Sequence, residues 1–92
     1  MVEFEWDKKK ATENWCKHRI RFEDARFVFD DPLQMSESFV ENGEVRWRTI
    51  GIANACILLL VIHTVRENGT EIIRIISARK LTPEERKDYE LG

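Results

Sequence analysis

Only two cysteines, Cys16 and Cys56, occur in these 92 residues, and neither has a second cysteine or a histidine at the spacing of a zinc site. Met1-Val2-Glu3-Phe4-Glu5 lacks the basic-then-apolar order of an export signal. The cysteines therefore read as reduced thiols and the chain as cytoplasmic. Two prolines and four glycines leave no linker, repeat or low-complexity stretch. The longest apolar run, Ala55 to Ile62, is too short to span a bilayer, so no membrane partner is expected. There is no phosphate loop, dinucleotide fingerprint or Ser/Cys–His nucleophile motif, and paired acids are missing among the basic strands. Neither a cofactor nor a metal is expected.

What is present is an apolar content of 42% beside a charged content of 35%, a globular balance, and a length that makes one domain over 1–92. The net charge of −2 argues against an obvious polyanion binder, but its distribution is uneven. Residues 46–80 carry six basic and two acidic groups, whereas residues 21–45 carry two and seven. A basic middle between acidic segments can gather positive potential on one surface.

Val2, Phe4 and Trp6 alternate with Glu3 and Glu5, as in a strand with one buried face. Asp7 suits an N-cap, and Lys8 to His18 reads as a helix with Ala11 and Trp15 inward and a polar stripe of Lys10, Asn14 and Lys17. Phe22 to Phe29 predicts a second helix, ended by Asp30-Asp31-Pro32. Leu33 to Val40 makes a weak, edge-like strand, and Asn42-Gly43 is the strongest hairpin signal. Val45 to Ile52 and the apolar Ala55 to Val65 follow as strands, the latter central. Glu67-Asn68-Gly69 turns the chain into Glu71 to Ala78, and Thr82-Pro83-Glu84-Glu85 opens a last helix reaching about Tyr89. The expected fold is α+β: a strand, two helices, a four-stranded antiparallel meander and a short C-terminal helix. The two early helices would cover one sheet face and leave the other partly open.

Within Ile72-Ile73-Arg74-Ile75-Ile76-Ser77-Ala78-Arg79, four isoleucines favour a strand and two arginines interrupt it. A guanidinium there needs an anionic partner, either an acid of this chain such as Asp30 or Asp31, or a bound carboxylate or phosphate. Five residues apart, Arg74 and Arg79 would point to opposite faces of a regular strand. They converge only where the strand ends or bulges near Ser77.

These blocks resemble the BrnT family of bacterial toxins, whose fold is similar to RelE-type ribonuclease toxins. The resemblance runs through Phe4-x-Trp6-Asp7, Lys10, Asn14, Lys17-His18, Ile20-x-Phe22 and Ala25, then Val28-Phe29-Asp30-Asp31-Pro32. It continues through Arg46-Trp47, Ile50-Gly51, Thr64-x-Arg66, Arg74-Ile75-Ile76-Ser77-Ala78-Arg79, Glu85-Arg86 and Tyr89. Two positions depart: Lys8 stands where proline is usual, and Arg19 where glycine is usual. An arginine at the second works against the left-handed backbone that glycine allows.

The resemblance implies a type II toxin that cleaves RNA and is neutralised by a BrnA-like ribbon-helix-helix antitoxin. Such a pair would assemble as a 2:2 heterotetramer and reach operator DNA only through the antitoxin. Metal-free cleavage requires the ribose 2′-OH to attack the adjacent phosphorus, with cations stabilising the transition state. Arg74 and Arg79 are the first candidates, with His63 as a possible base or, alternatively, a satisfied core histidine. A basic edge of Lys10, Lys17 and His18 could contact RNA, or His18 could simply favour the helix dipole. Arg46, Arg48 and Arg66 could also contact RNA, and Trp47 could stack on bases or belong to the core. A second reading is a non-catalytic module or inactive relic that only binds the antitoxin.

Overall fold

In the computed structural model, which describes residues 2–54 and 57–92, a five-stranded sheet runs in the order β1-β5-β4-β3-β2. The strands are β1 Val2–Trp6, β2 Met35–Glu41, β3 Glu44–Ile52, β4 Leu58–Glu67 and β5 Glu71–Lys80. The last four form the expected antiparallel meander. β1 adds to the free edge of β5 in parallel, with Phe4 opposite Ile73 and Trp6 opposite Ile75. Of the expected strand beginning at Ala55, Ala55 and Cys56 lie outside the described residues. The Asn42-Gly43 turn has positive φ at both positions, 53° and 76°, the geometry that matches strand twist in a two-residue hairpin.

One face of the sheet carries Phe4, Trp6, Leu59, Val61, Ile73, Ile75 and Ala78 against the helical layer. That layer begins with α1, Lys8–His18, capped by Asp7, whose carboxylate accepts from the N–H groups of Lys9 and Lys10 at 2.7 and 3.2 Å. The single helix expected over Phe22–Phe29 is instead a four-residue turn, α2 (Phe22–Ala25), followed by a 3₁₀ helix, Arg26–Asp30. Spacing explains the difference: Phe22, Ala25 and Val28 are all fully buried and recur every three residues, the period of the tighter helix. Trp6 meets Phe22 edge-on at 5.9 Å, and Phe4 packs on Phe29 at 5.6 Å.

Asn14 does not join the surface stripe drawn from its spacing. It is buried, and its amide donates to the carbonyls of Ala78 and Ile20 while its oxygen accepts from Ala78 N–H. The side chain thus pairs β5 beyond the point where β1 ends, satisfying an edge that would otherwise be orphaned. α1 closes at Arg19, which adopts the left-handed conformation at φ 57° and ψ 34° despite its side chain. That backbone costs an L residue about 1–2 kcal/mol.

The other face stays open except where α3, Pro83–Leu91, lies near it. α3 starts with a capping box in which Thr82 and Glu85 satisfy each other's backbone N–H. Among the described residues, two side-chain links fasten it to the body, Glu85 to Arg79 and the Tyr89 hydroxyl to Asp31 at 2.8 Å.

Candidate functional site

Register decides which arginines meet. Residues paired across strands share a face, so Glu5, Arg74 and Thr64 belong to one row, and Arg66 lies in the next with Ile72. Arg48 pairs with Ile62 and Glu37, and Arg46 with Phe39. Beyond Ile62 the register slips: Ile62 faces Ser77 but His63 faces Ile75, leaving Ile76 as an extra residue on β5. This bulge returns Arg79, opposite Leu60, to the face that holds Arg74. Arg46, Arg48, Arg66, Arg74 and Arg79 therefore all project from the open face. Arg74 and Arg79 sit about 15 Å apart along the strand, so they serve two positions on an extended ligand rather than one atom.

Each of these arginines is engaged by an acid. Glu5 accepts two bonds from Arg66, at 2.7 and 3.0 Å, and one from Arg74 at 3.0 Å. The partner of Arg74 is thus Glu5; Asp31 accepts instead from Ile52 N–H, Leu33 N–H and Tyr89. Arg46 is held by Glu41 and Glu44, and Arg79 is gripped at two points by Glu85. The hydrogen bonds from Arg66 and Arg74 pull the Glu5 carboxyl down to about 2, and Arg79 does the same for Glu85. Neither carboxylate takes a proton readily near neutrality, which makes both poor general bases.

Arg48 differs. Its guanidinium lies 4.5 Å from the Phe39 ring centroid, and its Nε is 3.4 Å from Glu37. That approach is close enough for attraction but lacks hydrogen-bond geometry, so this buried N–H has no acceptor. It borders a groove of about 330 Å³ between the sheet and α3, with Met35, Ile50, Leu60, Glu85 and Asp88. A second groove, of about 470 Å³, is lined by Arg46, Thr64, Arg66, Arg74 and Ile76, and by Lys10 from the start of α1.

The remaining sequence-derived residues lie elsewhere. His63 is 3% exposed on the helix-covered face, with Nε2 2.7 Å from the Thr49 hydroxyl and its ring edge-on to Phe29 at 4.8 Å. Burial holds its imidazole below the ordinary value, so it stays neutral. Trp47 pairs with His63 and shares that face. Lys17 and His18 are exposed at the end of α1. Tyr89, raised by its bond to Asp31, is a protonated donor.

Sequence reasoning did not assemble Lys10, Glu5 and Glu85 with the arginines. For Lys10 the signal was the helical stripe it shares with Asn14, once that stripe is turned toward β5. Glu5 carried only the alternation of its strand. Among the described residues, no three His, Cys, Asp or Glu side chains gather to hold a metal ion, and no helix is long and apolar enough to cross a membrane.

Residues 6–85 match the family described as "Ribonuclease toxin, BrnT, of type II toxin-antitoxin system". Among solved structures, the chain is similar to the Brucella abortus ribonuclease toxin, BrnT, with 26% identity and a TM-score of 0.61. That likeness covers 89% of this chain and 99% of the Brucella chain. No curated protein sequence matches.

Proposed function

This chain belongs to the BrnT family of ribonuclease toxins of type II toxin–antitoxin systems, and we propose that it cuts RNA laid across the arginine face of its sheet, by internal transesterification without a metal. The ribose 2′-oxygen forms a bond to the adjacent phosphorus as the bond from phosphorus to the 5′-oxygen breaks. The 2′-OH proton leaves to solvent, and the departing 5′-oxygen receives one. Negative charge accumulates on the non-bridging oxygens as the phosphorus becomes five-coordinate, and fixed guanidinium donors stabilise that charge more than the ground state.

The observation that carries this reading is the gathering of five arginines on one open face, to which the bulge at Ile76 returns Arg79. Arg79 is assigned to the reacting phosphate and Arg74 to the clamp on a neighbouring one, with Arg46, Arg66 and Lys10 lining the groove that guides the strand. Arg48 adds a further cation at the edge of the adjoining groove. RNA phosphates must displace Glu5, Glu41, Glu44 and Glu85 from their arginines, an exchange of one anion for another at sites open to solvent. In this assignment His63 and Trp47, on the opposite face of the sheet, take no part in the reaction.

A toxin of a type II system has an antitoxin protein as its partner. We assign that role to a ribbon-helix-helix protein of the BrnA kind, in a 2:2 cytoplasmic assembly. An acidic, apolar segment of the antitoxin would lie over Arg46 and Arg48 where RNA phosphates otherwise go, and operator DNA would be reached through the antitoxin alone.

The test is cleavage of single-stranded RNA by purified protein in EDTA. Cutting is expected, and a loss of activity that magnesium restores would overturn the metal-free step. Arg74→Ala and Arg79→Ala should each lower cleavage about a hundredfold while staying folded, the Arg79 variant melting below the parent because α3 loses its Glu85 fastening. If Arg74→Ala fails to fold, that residue is structural. Coexpression with the adjacent antitoxin gene should yield an equimolar, inactive complex; a toxin that runs alone or keeps cutting would sink the partner assignment.

A further inference from the structure

The sharpest contrast in the molecule is between arginines that are occupied and arginines that are not. All five on the open face have a carboxylate within ion-pair distance. Among the described residues Arg26 and Arg86 have none, Arg26 donating to the Glu23 carbonyl, and neither do Arg19 and Arg21, which alone meet at one indole. Both instead flank the indole of Trp15, with guanidinium carbons 5.3 and 4.6 Å from the ring centroid. A cation held over a ring in this way keeps N–H groups for a two-oxygen acceptor, since the ring commits none of them to a carboxylate. Between the two side chains lies a pocket of about 400 Å³, floored by Ile20, Ala53 and Leu59, with Asp24 at its rim.

Charge around the pocket points the same way. From Lys8 to Arg21 the chain carries six lysines and arginines against one acid, Glu13, although the whole protein is acidic. Arg19 itself takes the left-handed φ of 57° that closes α1.

We propose that Arg19 and Arg21, braced on Trp15, form a second phosphate-binding site, which takes the RNA backbone beyond the stretch held on the open face. This rests on the RNA-cleaving reading above. α1 connects the two sites: Lys10 lines the arginine groove at one end, and the Arg19–Arg21 pair lies beyond the other end, about 12 Å along the axis. Lys17, on the same stripe as Lys10, provides a positive charge between them.

Binding of a labelled single-stranded RNA carrying 2′-O-methyl riboses, which cannot undergo 2′-oxygen attack, tests the site over a range of salt. The variant is Arg19→Gly with Arg21→Gln. Glycine suits the left-handed backbone, and Arg21 makes no side-chain cap to α2, so the fold should persist and is checked by melting. Affinity should fall roughly tenfold at low salt, and the slope of log affinity against log salt should shrink by about 1.4, the loss of two phosphate contacts. A variant with the affinity and slope of the parent would overturn the second site while leaving the open-face reading intact. A parent protein that does not bind this RNA would remove both. A variant that binds RNA normally but loses the antitoxin would assign the patch to that protein instead and overturn the proposal.

Discussion

Arg79 and Glu85 grip each other end-on, with Nη1 2.8 Å from Oε1 and Nη2 2.9 Å from Oε2. The same carboxylate accepts from the Thr82 N–H that starts α3. One acid therefore caps the last helix, fastens it to the sheet and fills the fork assigned to the reacting phosphate.

Acid sensitivity follows from that arrangement. Glu85 sits at about 2 in the folded chain against an ordinary value of 4.5, chiefly through its bond from Arg79. A depressed carboxyl contributes stability above its unfolded value and loses it as pH falls through the folded one. Thermal melts should therefore decline between pH 4.5 and about 2, and Glu85→Gln should flatten part of that decline. The same variant frees the Arg79 fork and should bind RNA more tightly than the parent. Equal RNA affinity would show that Glu85 does not compete with phosphate.

Gly51 sits where the sheet presses on the 3₁₀ helix. A Cβ there would lie 2.9 Å from Val28 Cγ1, 3.1 Å from the Val28 carbonyl and 3.2 Å from Asp31 Oδ2. The contacts involve backbone and a fully buried valine, so little can yield. Gly51→Ala should cost about 1–3 kcal/mol in denaturant unfolding. The strain also reaches Asp31, which anchors Tyr89, so α3 should loosen.

His63 makes a different pH signature. Burial keeps its folded value below 6.5, so the unfolded chain binds the proton more readily. Stability from this group is present above pH 6.5 and is lost as pH falls below it. His63→Leu should remove that slope at a cost of about 1 kcal/mol, because Thr49 keeps its second partner, the Ser36 hydroxyl at 2.7 Å. RNA cleavage per folded molecule should hardly change. A folded but inactive His63→Leu would make the histidine catalytic after all.

Local chemistry was the legible part of this chain. Asn42-Gly43, the Asp7 cap and the Thr82-Pro83-Glu84-Glu85 helix start each fix backbone geometry within four residues, and each was readable for that reason. The four-strand meander followed from short connections. Parity carried the site part-way: it showed that Arg74 and Arg79 could share a face only with an irregularity near Ser77, and the bulge at Ile76 supplies it. What stayed hidden depends on distant pairing. Nothing local says that β1 joins β5 in parallel, and only that pairing brings Glu5 to Arg66 and Arg74. Likewise the spacing of Lys10, Asn14 and Lys17 defines a helix face but not what it meets.

Asn14 is where that hidden contact reaches function. Its three bonds join α1, the segment after it and β5, at Ala78, the residue beside Arg79. Asn14→Ala leaves an N–H and two carbonyls without partners in a buried setting, and each such orphan costs about 1–3 kcal/mol before any rearrangement. Stability should drop by at least about 2 kcal/mol in urea unfolding. Asn14→Asp should do no better: its second oxygen cannot donate, so it faces the Ala78 and Ile20 carbonyls with repulsion. Because the end of β5 then loses its edge partner, Arg79 should lose its fixed position, and cleavage should fall even at temperatures where the variant remains folded. Hydrogen exchange at the Ala78 amide measures the loosening directly. Unchanged protection there, together with parental cleavage, would show that the β5 edge does not depend on this side chain.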